Sequence, residues 1–473
     1  MEKGTKRGRE EISVGIDRIS TLPDDVLIHI LSFLGIKKAV QTCILSKRWN
    51  DVWASVHFLK VGQHQFRSDC NEIQREYMDK FVQFVHTVVN ILRVSSLDTF
   101  ECFFPISDRQ NHSVECLGRE AALVRRVFVF YGNIPKCLDL PESTVSCASL
   151  KNLKLHSTAC GKIIRPELIN LPSLKVLELL RVELDDDFTH KLFPSCPVLE
   201  GLVLRSCTLG TSKIASNKLK MLHIDRCRQT KNMHISCPGL FSLFINDVEL
   251  KDDLTQMFFS GCPALERLLL RSCVLSISDI TSDLLKMLTI DNCQQTMKMR
   301  ISCPGLVSLT VRIGSAREGI SLENLESLAT ADIKLHNCSY DTSILRGLSN
   351  ATTVKFCGSL QSMERLEKDI SCCKLFNNLK ILEFGEWDMT INFDLVACFL
   401  KNSPNLQKLY LQLGKQSHGH IQGHTRQEAI RDVLYKREYV EFVKISGGKK
   451  AQDNKLVKIL RRHIKNIGHL LIL

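Results

Sequence analysis

The fold is decided by SCPVLEGLVLRSCTL, residues Ser195 to Leu209, because it returns as GCPALERLLLRSCVL at Gly261 to Leu275. Two further segments return with it. LKMLHIDRC at Leu219 reappears as LKMLTIDNC at Leu285, and ISCPGLFSL at Ile235 reappears as ISCPGLVSL at Ile301. The displacement is 66 positions each time (Leu199 to Leu265, Leu219 to Leu285, Leu240 to Leu306). Inside this duplication lies a shorter pattern, L-x-x-L-x-L. It begins at Leu150, Leu174, Leu199, Leu219, Leu240, Leu265, Leu285, Leu306, Leu379 and Leu406, and in weaker form at Leu97, Val124, Leu328 and Ala351. The steps, roughly 20 to 28 residues, are those of leucine-rich repeats.

Such a repeat predicts a solenoid in which each unit gives one short strand to a parallel sheet. Alternation sends Leu202 and Leu204 inward, while Gly201, Val203 and Arg205 face the concave surface. Cys207, Cys227, Cys273 and Cys293 each stand three residues past the last leucine, where a small side chain fits beneath the turn leaving the strand. The pairs Cys196-Pro197, Cys237-Pro238, Cys262-Pro263 and Cys303-Pro304 precede strands, and there proline ends the convex segment and holds its neighbour extended. Concave-face positions available to a partner are Arg205, His223, Asp225, Phe244, Arg267, Arg271, Asp291, Arg312 and Tyr410. Their mixed signs point to a protein or peptide target rather than a polyanion.

No repeat buries its face alone, so both ends of the array need covers. Upstream, Leu22 to Trp53 reads LPDDVLIHILSFLGIKKAVQTCILSKRWNDVW. Pro23 suits a first helical position, and Asp24 and Asp25 complement the helix dipole. Val26, Leu27, Ile30, Leu31 and Leu34 form an apolar face that Gly35 stops. Ser46 is the expected N-cap of a third helix carrying Trp49 and Trp53. Three short helices bury too little of this apolar surface among themselves, and the excess predicts a docking face.

These residues resemble an F-box, the segment by which substrate receptors bind the Skp-type adaptor of cullin–RING (SCF) ubiquitin ligases. Gly35-Ile36 and Gln41 stand where members of that family more often carry a Pro-Thr-type turn and a charged residue. The resemblance implies adaptor contacts at Leu22, Pro23, Val26, Leu27, Ile30, Leu31, Leu45 and Trp49. It also implies a non-catalytic role, presenting an unidentified target protein for ubiquitination. Downstream, Tyr439 to Ile445 alternates as a strand and Gly447-Gly448 turns. Lys455 to Ile464 then reads as a basic amphipathic helix and Leu470 to Leu473 as a final strand. This order resembles the FBD segment that closes plant F-box/leucine-rich-repeat proteins.

The expected architecture is therefore α/β. Residues 1–16 form a flexible N-terminus and 17–60 a three-helix F-box. A leucine-rich-repeat horseshoe with a parallel sheet spans 61–414, with a helical cap at 71–92. A loop at 415–428 leads to an α+β, FBD-like cap at 429–473. In the 71–92 helix the periodic residues are Phe81, Phe84, Val85, Val88, Val89 and Leu92.

The 473 residues are 44% apolar and 24% charged, ordinary for a globular chain. Apolar runs are too short to span a membrane and no signal-peptide pattern opens the chain, so no membrane is expected as partner and the compartment is cytoplasmic and/or nuclear. The 20 cysteines contain no C-x-x-C pair and read as small core residues. Of the net charge of +12, His424 to Leu473 supply +7, from 12 Lys/Arg against 5 Asp/Glu. No aromatic interleaving or recognition helix accompanies that charge, so nucleic acid is not the expected partner. Lys6-Arg7-Gly8-Arg9 is a weak nuclear-import fragment. His418, His420 and His424 have metal-compatible spacing but lie in a Gly/Gln/Ser-rich stretch read as a loop. Asp185-Asp186-Asp187 is read as a helix start. No Walker loop, nucleophile elbow or His-Glu-x-x-His is present, and neither a cofactor nor a metal is expected. The alternative to the ligase reading is a leucine-rich-repeat binding scaffold, independent of ubiquitination, whose F-box-like unit only caps the solenoid. Exposed F-box apolar residues favour the first and buried ones the second. A nucleic-acid binder or an enzyme comes third.

Overall fold

The computed structural model describes residues 19, 21–62, 83–84, 87–88, 97–103, 124–132, 137–139, 146–164, 169–230, 233–251, 259–316, 319–335, 343–358, 376–387, 394–413, 437–447 and 450–473. The N-terminal 1–16 segment, the 415–428 loop, the basic Lys6 to Arg9 run and the His418/His420/His424 cluster lie outside them. Of the expected 71–92 cap, Phe84 and Val88 are described as helical, and both pack onto the core. The other periodic positions of that helix lie outside.

Three helices open the described chain: α1 Asp24–Ser32, α2 Ile36–Gln41 and α3 Lys47–Ala54, with a 3₁₀ turn Thr42–Ile44 before α3. Pro23 occupies the N-cap of α1 rather than its first helical position. Its carbonyl accepts the amides of Val26 and Leu27, both at 3.1 Å. The first helix ends at Ser32, so Gly35 does not stop it. With φ −65° and ψ 151°, Gly35 is the extended N-cap of α2. Ser46 is the N-cap of α3, as expected, although its hydroxyl makes no capping bond.

The strand Phe58–Gly62 follows α3 and pairs in parallel with Leu97–Phe103. A parallel ladder then runs in chain order through Val124–Gly132, Asn152–Ile164, Val176–Asp185, Gly201–Arg205, Met221–Asp225 and Ser242–Asn246. It continues through Arg267–Arg271, Met287–Gln295, Ser308–Ala316, Thr330–Leu335, Thr353–Gly358, Ile381–Trp387 and Lys408–Leu413. Each strong and weak L-x-x-L-x-L occurrence thus supplies a strand of one solenoid. Leu202, Leu204, Leu222, Ile224, Leu243, Ile245, Leu268 and Leu270 all point into the core and are fully buried.

The 66-residue duplication is reproduced bond for bond. The Cys207 thiol donates to the Leu179 carbonyl at 3.4 Å and that of Cys273 to Ile245 at 3.5 Å. Cys227 donates to Leu204 at 3.4 Å and Cys293 to Leu270 at 3.5 Å. Each of these cysteines follows a residue with positive φ: Ser206, Arg226, Ser272 and Asn292, at 49–52°. The strand leaves through a left-handed residue, and the next side chain drops beneath the turn against the preceding coil. Val182 and Val248 fill the same position after Arg181 and Asp247, so the site takes a small or β-branched apolar side chain. The Cys-Pro pairs differ in detail from the expectation. They open turns in which Leu199, Leu240, Leu265 and Leu306 donate to the carbonyls of Cys196, Cys237, Cys262 and Cys303 at 2.9–3.1 Å. Proline there fixes φ at the second residue of a turn.

Coil length decides what returns behind the sheet. Coils of about 20 residues return through short strands, such as Lys213–Ala215 paired with His234–Ser236. Longer coils have room for helices, Asp186–Ser195 and Asp394–Asn402. Asp185 caps the first of these, accepting from the Phe188 amide at 2.9 Å, so the acidic run is a helix start. The second packs Phe399 among Phe356, Phe376 and Phe384, at ring-centroid distances of 5.4–6.0 Å.

The C-terminal strand–turn–helix–strand order is present as Arg437–Ser446, Lys450–His463 and Ile464–Ile472. Both strands extend the same parallel ladder, so this cap is continuous with the solenoid sheet. The Arg437 guanidinium, 5% exposed, is threaded into the preceding coil. It donates to the carbonyls of Pro404 at 2.9 Å, Leu406 at 2.8 Å and Leu400 at 3.4 Å, and also to Ser403.

Candidate functional site

Two surfaces are built by this fold. The first is the outer face of the N-terminal helices. Arg48 of α3 donates twice to the Asp24 carboxylate, at 3.0 and 2.5 Å, and to the Leu22 carbonyl at 2.6 Å. This pins α3 against the start of α1. Leu27, Leu31 and Trp49, expected as partner contacts, are instead interior: both leucines are 0% exposed and Trp49 is 3%. Together with Ile36, Val52 and Trp53 they belong to the hydrophobic core, which continues into the solenoid. The remaining expected contacts are accessible, Leu22 in part and Pro23, Val26, Ile30 and Leu45 openly. Two residues absent from the expectation are more exposed than Val26, Ile30 or Leu45: Phe33 at 76% and Ile44 at 88%.

The signal for Phe33 was in the sequence. The apolar arc of α1 is two stripes. Leu27 and Leu31, four apart, turn inward, while Val26, Ile30 and Phe33 follow the same spacing one residue earlier and turn outward. Ile44 lies in a 3₁₀ turn, where helical periodicity gives no direction.

The second surface is the solvent face of the sheet. Its middle row runs in register through Lys154, Glu178, Val203, His223, Phe244, Leu269, Thr289, Thr310, Asp332, Lys355, Glu383 and Tyr410. Of the nine expected positions, His223, Phe244 and Tyr410 lie in this row. Arg205, Asp225, Arg271, Asp291 and Arg312 lie in the row that follows it, and Arg267 in the row before it. Eight of the nine are gathered on consecutive coils. Tyr410 stands apart, four strands beyond Ser308–Ala316, or about 19 Å at the usual strand spacing.

Charges on this face largely answer one another. Glu178, nearly buried, accepts Arg205 at 2.9 Å and lies 3.4 Å from Lys154 and 3.6 Å from His156. Arg271 meets Asp291 at 3.3 Å, Arg312 meets Asp332 at 2.6 Å, and Lys355 pairs with Glu383. Asn246 donates to Asp225 at 2.6 Å. His223 packs edge-on against Phe244, centroids 4.1 Å apart. Burial, reinforced by the Arg205 charge, holds the His223 pKa below the ordinary 6.5, so its ring is neutral at pH 7.

Among the described residues no group of His, Cys, Asp and Glu could hold a metal ion, and no helix is long and apolar enough to cross a membrane. The described cysteines are free thiols, mostly buried. Burial raises the thiol pKa of Cys196 and of Cys237 to about 12.

Comparison with known proteins agrees with this geometry. The F-box domain family matches residues 19–61, the three helices and the first strand. The leucine-rich repeats typified by FBD-associated F-box protein At5g56370 match residues 119–244. The leucine-rich-repeat domain of At1g61320/AtMIF1 matches 211–452, just over half of the chain. Among relatives in Arabidopsis thaliana, FBD-associated F-box protein At4g10400 is 34% identical over 49% of this chain and 56% of its own length. F-box/LRR-repeat protein 13 is 31% identical over 43% and 44%, and F-box protein At1g60400 is 30% identical over 51% and 60%. The chain thus spans about half the length of the curated relatives it matches. It belongs to the plant F-box/leucine-rich-repeat family.

Proposed function

We propose that this chain is the non-catalytic substrate-recognition subunit of an SCF-type E3 ubiquitin ligase, acting in the cytoplasm and/or nucleus. Its N-terminal helices dock a Skp-type adaptor, and through it a cullin–RING ligase. The solvent face of the solenoid sheet holds a target protein. The chain contributes no bond chemistry; it raises the effective concentration of target lysines around the transfer site. The observation that carries the reading is a set of exposed apolar side chains, Val26, Ile30 and Phe33 on and after α1 and Ile44 and Leu45 before α3, while Leu27, Leu31, Ile36, Trp49, Val52 and Trp53 are buried. A cap alone has no use for such a set.

The second reading, a scaffold independent of ubiquitination, draws on a different observation. The strand Phe58–Gly62 joins the N-terminal unit to the solenoid sheet, so that unit does cover one end. Covering the end leaves Ile44 and Leu45 without a role. A nucleic-acid surface is not favoured, because Arg205, Arg271, Arg312 and Lys355 on the sheet are matched by Glu178, Asp291, Asp332 and Glu383.

The test is capture of a Skp-type adaptor by the full chain beside an Ile44→Asp/Leu45→Asp variant. Both sites are exposed, so the variant keeps the wild-type melting temperature. Adaptor retained by the wild type and lost by the variant supports the ligase reading. Failure of the wild type to retain adaptor gives precedence to the scaffold.

A further inference from the structure

Within the sheet face, one stretch differs from the rest. Val203, His223, Phe244 and Leu269 stand side by side on four neighbouring strands, with Met221 and Met287 in the adjoining row. At about 4.8 Å per strand the four span roughly 15 Å, enough to seat one or two bulky side chains. The two methionines can adjust to an incoming surface. Farther along, Thr289 and Thr310 continue the middle row, followed by Asp332, Lys355 and Glu383, so the apolar stretch has an end.

Charge around this strip is asymmetric. On the side following it, Arg205 and Arg271 are held by Glu178 and Asp291, and Asp225 by Asn246. On the side preceding it, exposed Arg267 lies in register between Ser242 and Met287, with no carboxylate partner among the described residues. A ligand lying on the strip therefore meets one open cation. A carboxylate there gains a charge-assisted, two-pronged bond, and an ammonium or guanidinium there is repelled.

Taking the sheet face as the target-binding surface, we propose that its recognition element is a target segment presenting a bulky apolar side chain beside an Asp or Glu. The apolar group seats on Phe244, Leu269 and the two methionines, and the carboxylate pairs with Arg267. The face selects against basic segments, although the chain as a whole is cationic.

A random-sequence peptide library displayed on phage, panned against the full chain, tests this. The expected enrichment is for Leu, Ile, Phe, Met or Trp next to Asp or Glu. Selected peptides lose about tenfold in affinity on Arg267→Glu and 10- to 100-fold on Phe244→Ser, the usual range for a charge at the rim and an aromatic anchor. Panning the Arg267→Glu chain turns the preference to Lys or Arg. Arg267 is exposed, so this variant keeps its fold even if Phe244→Ser does not. Enriched peptides that are polar or basic, yet sensitive to Phe244→Ser and Arg205→Glu, overturn the proposed class and leave the sheet face as the binding surface. Enriched peptides insensitive to every sheet-face substitution overturn the surface itself. An absence of enrichment refutes the proposal.

Discussion

Replacing Arg437 by methionine removes a buried hydrogen-bond cluster that, beside the strand pairing, ties the last leucine-rich coil to the C-terminal cap. The guanidinium is 5% exposed and donates to the carbonyls of Leu400, Ser403, Pro404 and Leu406, and through Nε to Tyr439 at 3.0 Å. Hydrogen bonds from a charged donor contribute about 1.5–3 kcal/mol each, but burying the charge costs several kcal/mol in return. Truncation also strands carbonyls at about 1–3 kcal/mol apiece, less whatever water recovers. The net loss is about 3–5 kcal/mol, the range measured when one partner of a buried charged cluster is removed. In a solenoid such a loss stays near its origin, because each coil contacts only its neighbours. Native-state hydrogen exchange is the assay. Protection of amides in Ile464–Ile472 should fall by about 10²- to 10⁴-fold, while Gly201–Asn246 keeps its protection. A fall of less than tenfold in the terminal strand, or an equal loss along the whole array, would refute the argument.

Three further outcomes follow from local geometry. Gly447 has φ +84°, and a Cβ placed on it would stand 2.5 Å from the Leu413 carbonyl oxygen; Gly447→Ala should cost roughly 1–3 kcal/mol in urea unfolding. In the native protein iodoacetamide should label exposed Cys160 and spare Cys196 and Cys237, whose burial raises their pKa to about 12; mass spectrometry of early time points decides this. His156 and His223 both have pKa values lowered by burial, so the unfolded chain protonates first as pH drops. Stability is then full above about pH 6.5 and declines as pH falls from there toward the folded-state values, and a His156→Gln/His223→Gln variant should show a flatter melting profile across that window.

The repeat was fully legible because its signal is local and repeated. Leu202 and Leu204 face the core for the same reason as Leu268 and Leu270, and two residues of spacing suffice to say so. The position of Cys207 follows from the leucine-rich pattern, three residues past the last leucine. The left-handed residue before it was not legible, since Ser206, Arg226 and Asn292 share no side-chain property and none is glycine. At the N-terminal helices the sequence showed the wide apolar arc but not its division. The resemblance implies adaptor contacts at Leu27, Leu31 and Trp49, whose burial depends on how α3 packs against α1 where Arg48 meets Asp24, 24 residues away. The same distance effect hid Arg437, whose acceptors come from 31 to 37 residues upstream. Local patterns fix elements, whereas long-range polar contacts depend on how those elements are placed.

The central claim is tested most directly by hydrogen–deuterium exchange of the full chain with and without saturating Skp-type adaptor. The account predicts new protection confined to α1, the turn after it and Thr42–Leu45, where Ile30, Phe33, Ile44 and Leu45 are exposed, with the sheet strands unchanged. No change in exchange at those segments, or protection appearing on the sheet face instead, would contradict it.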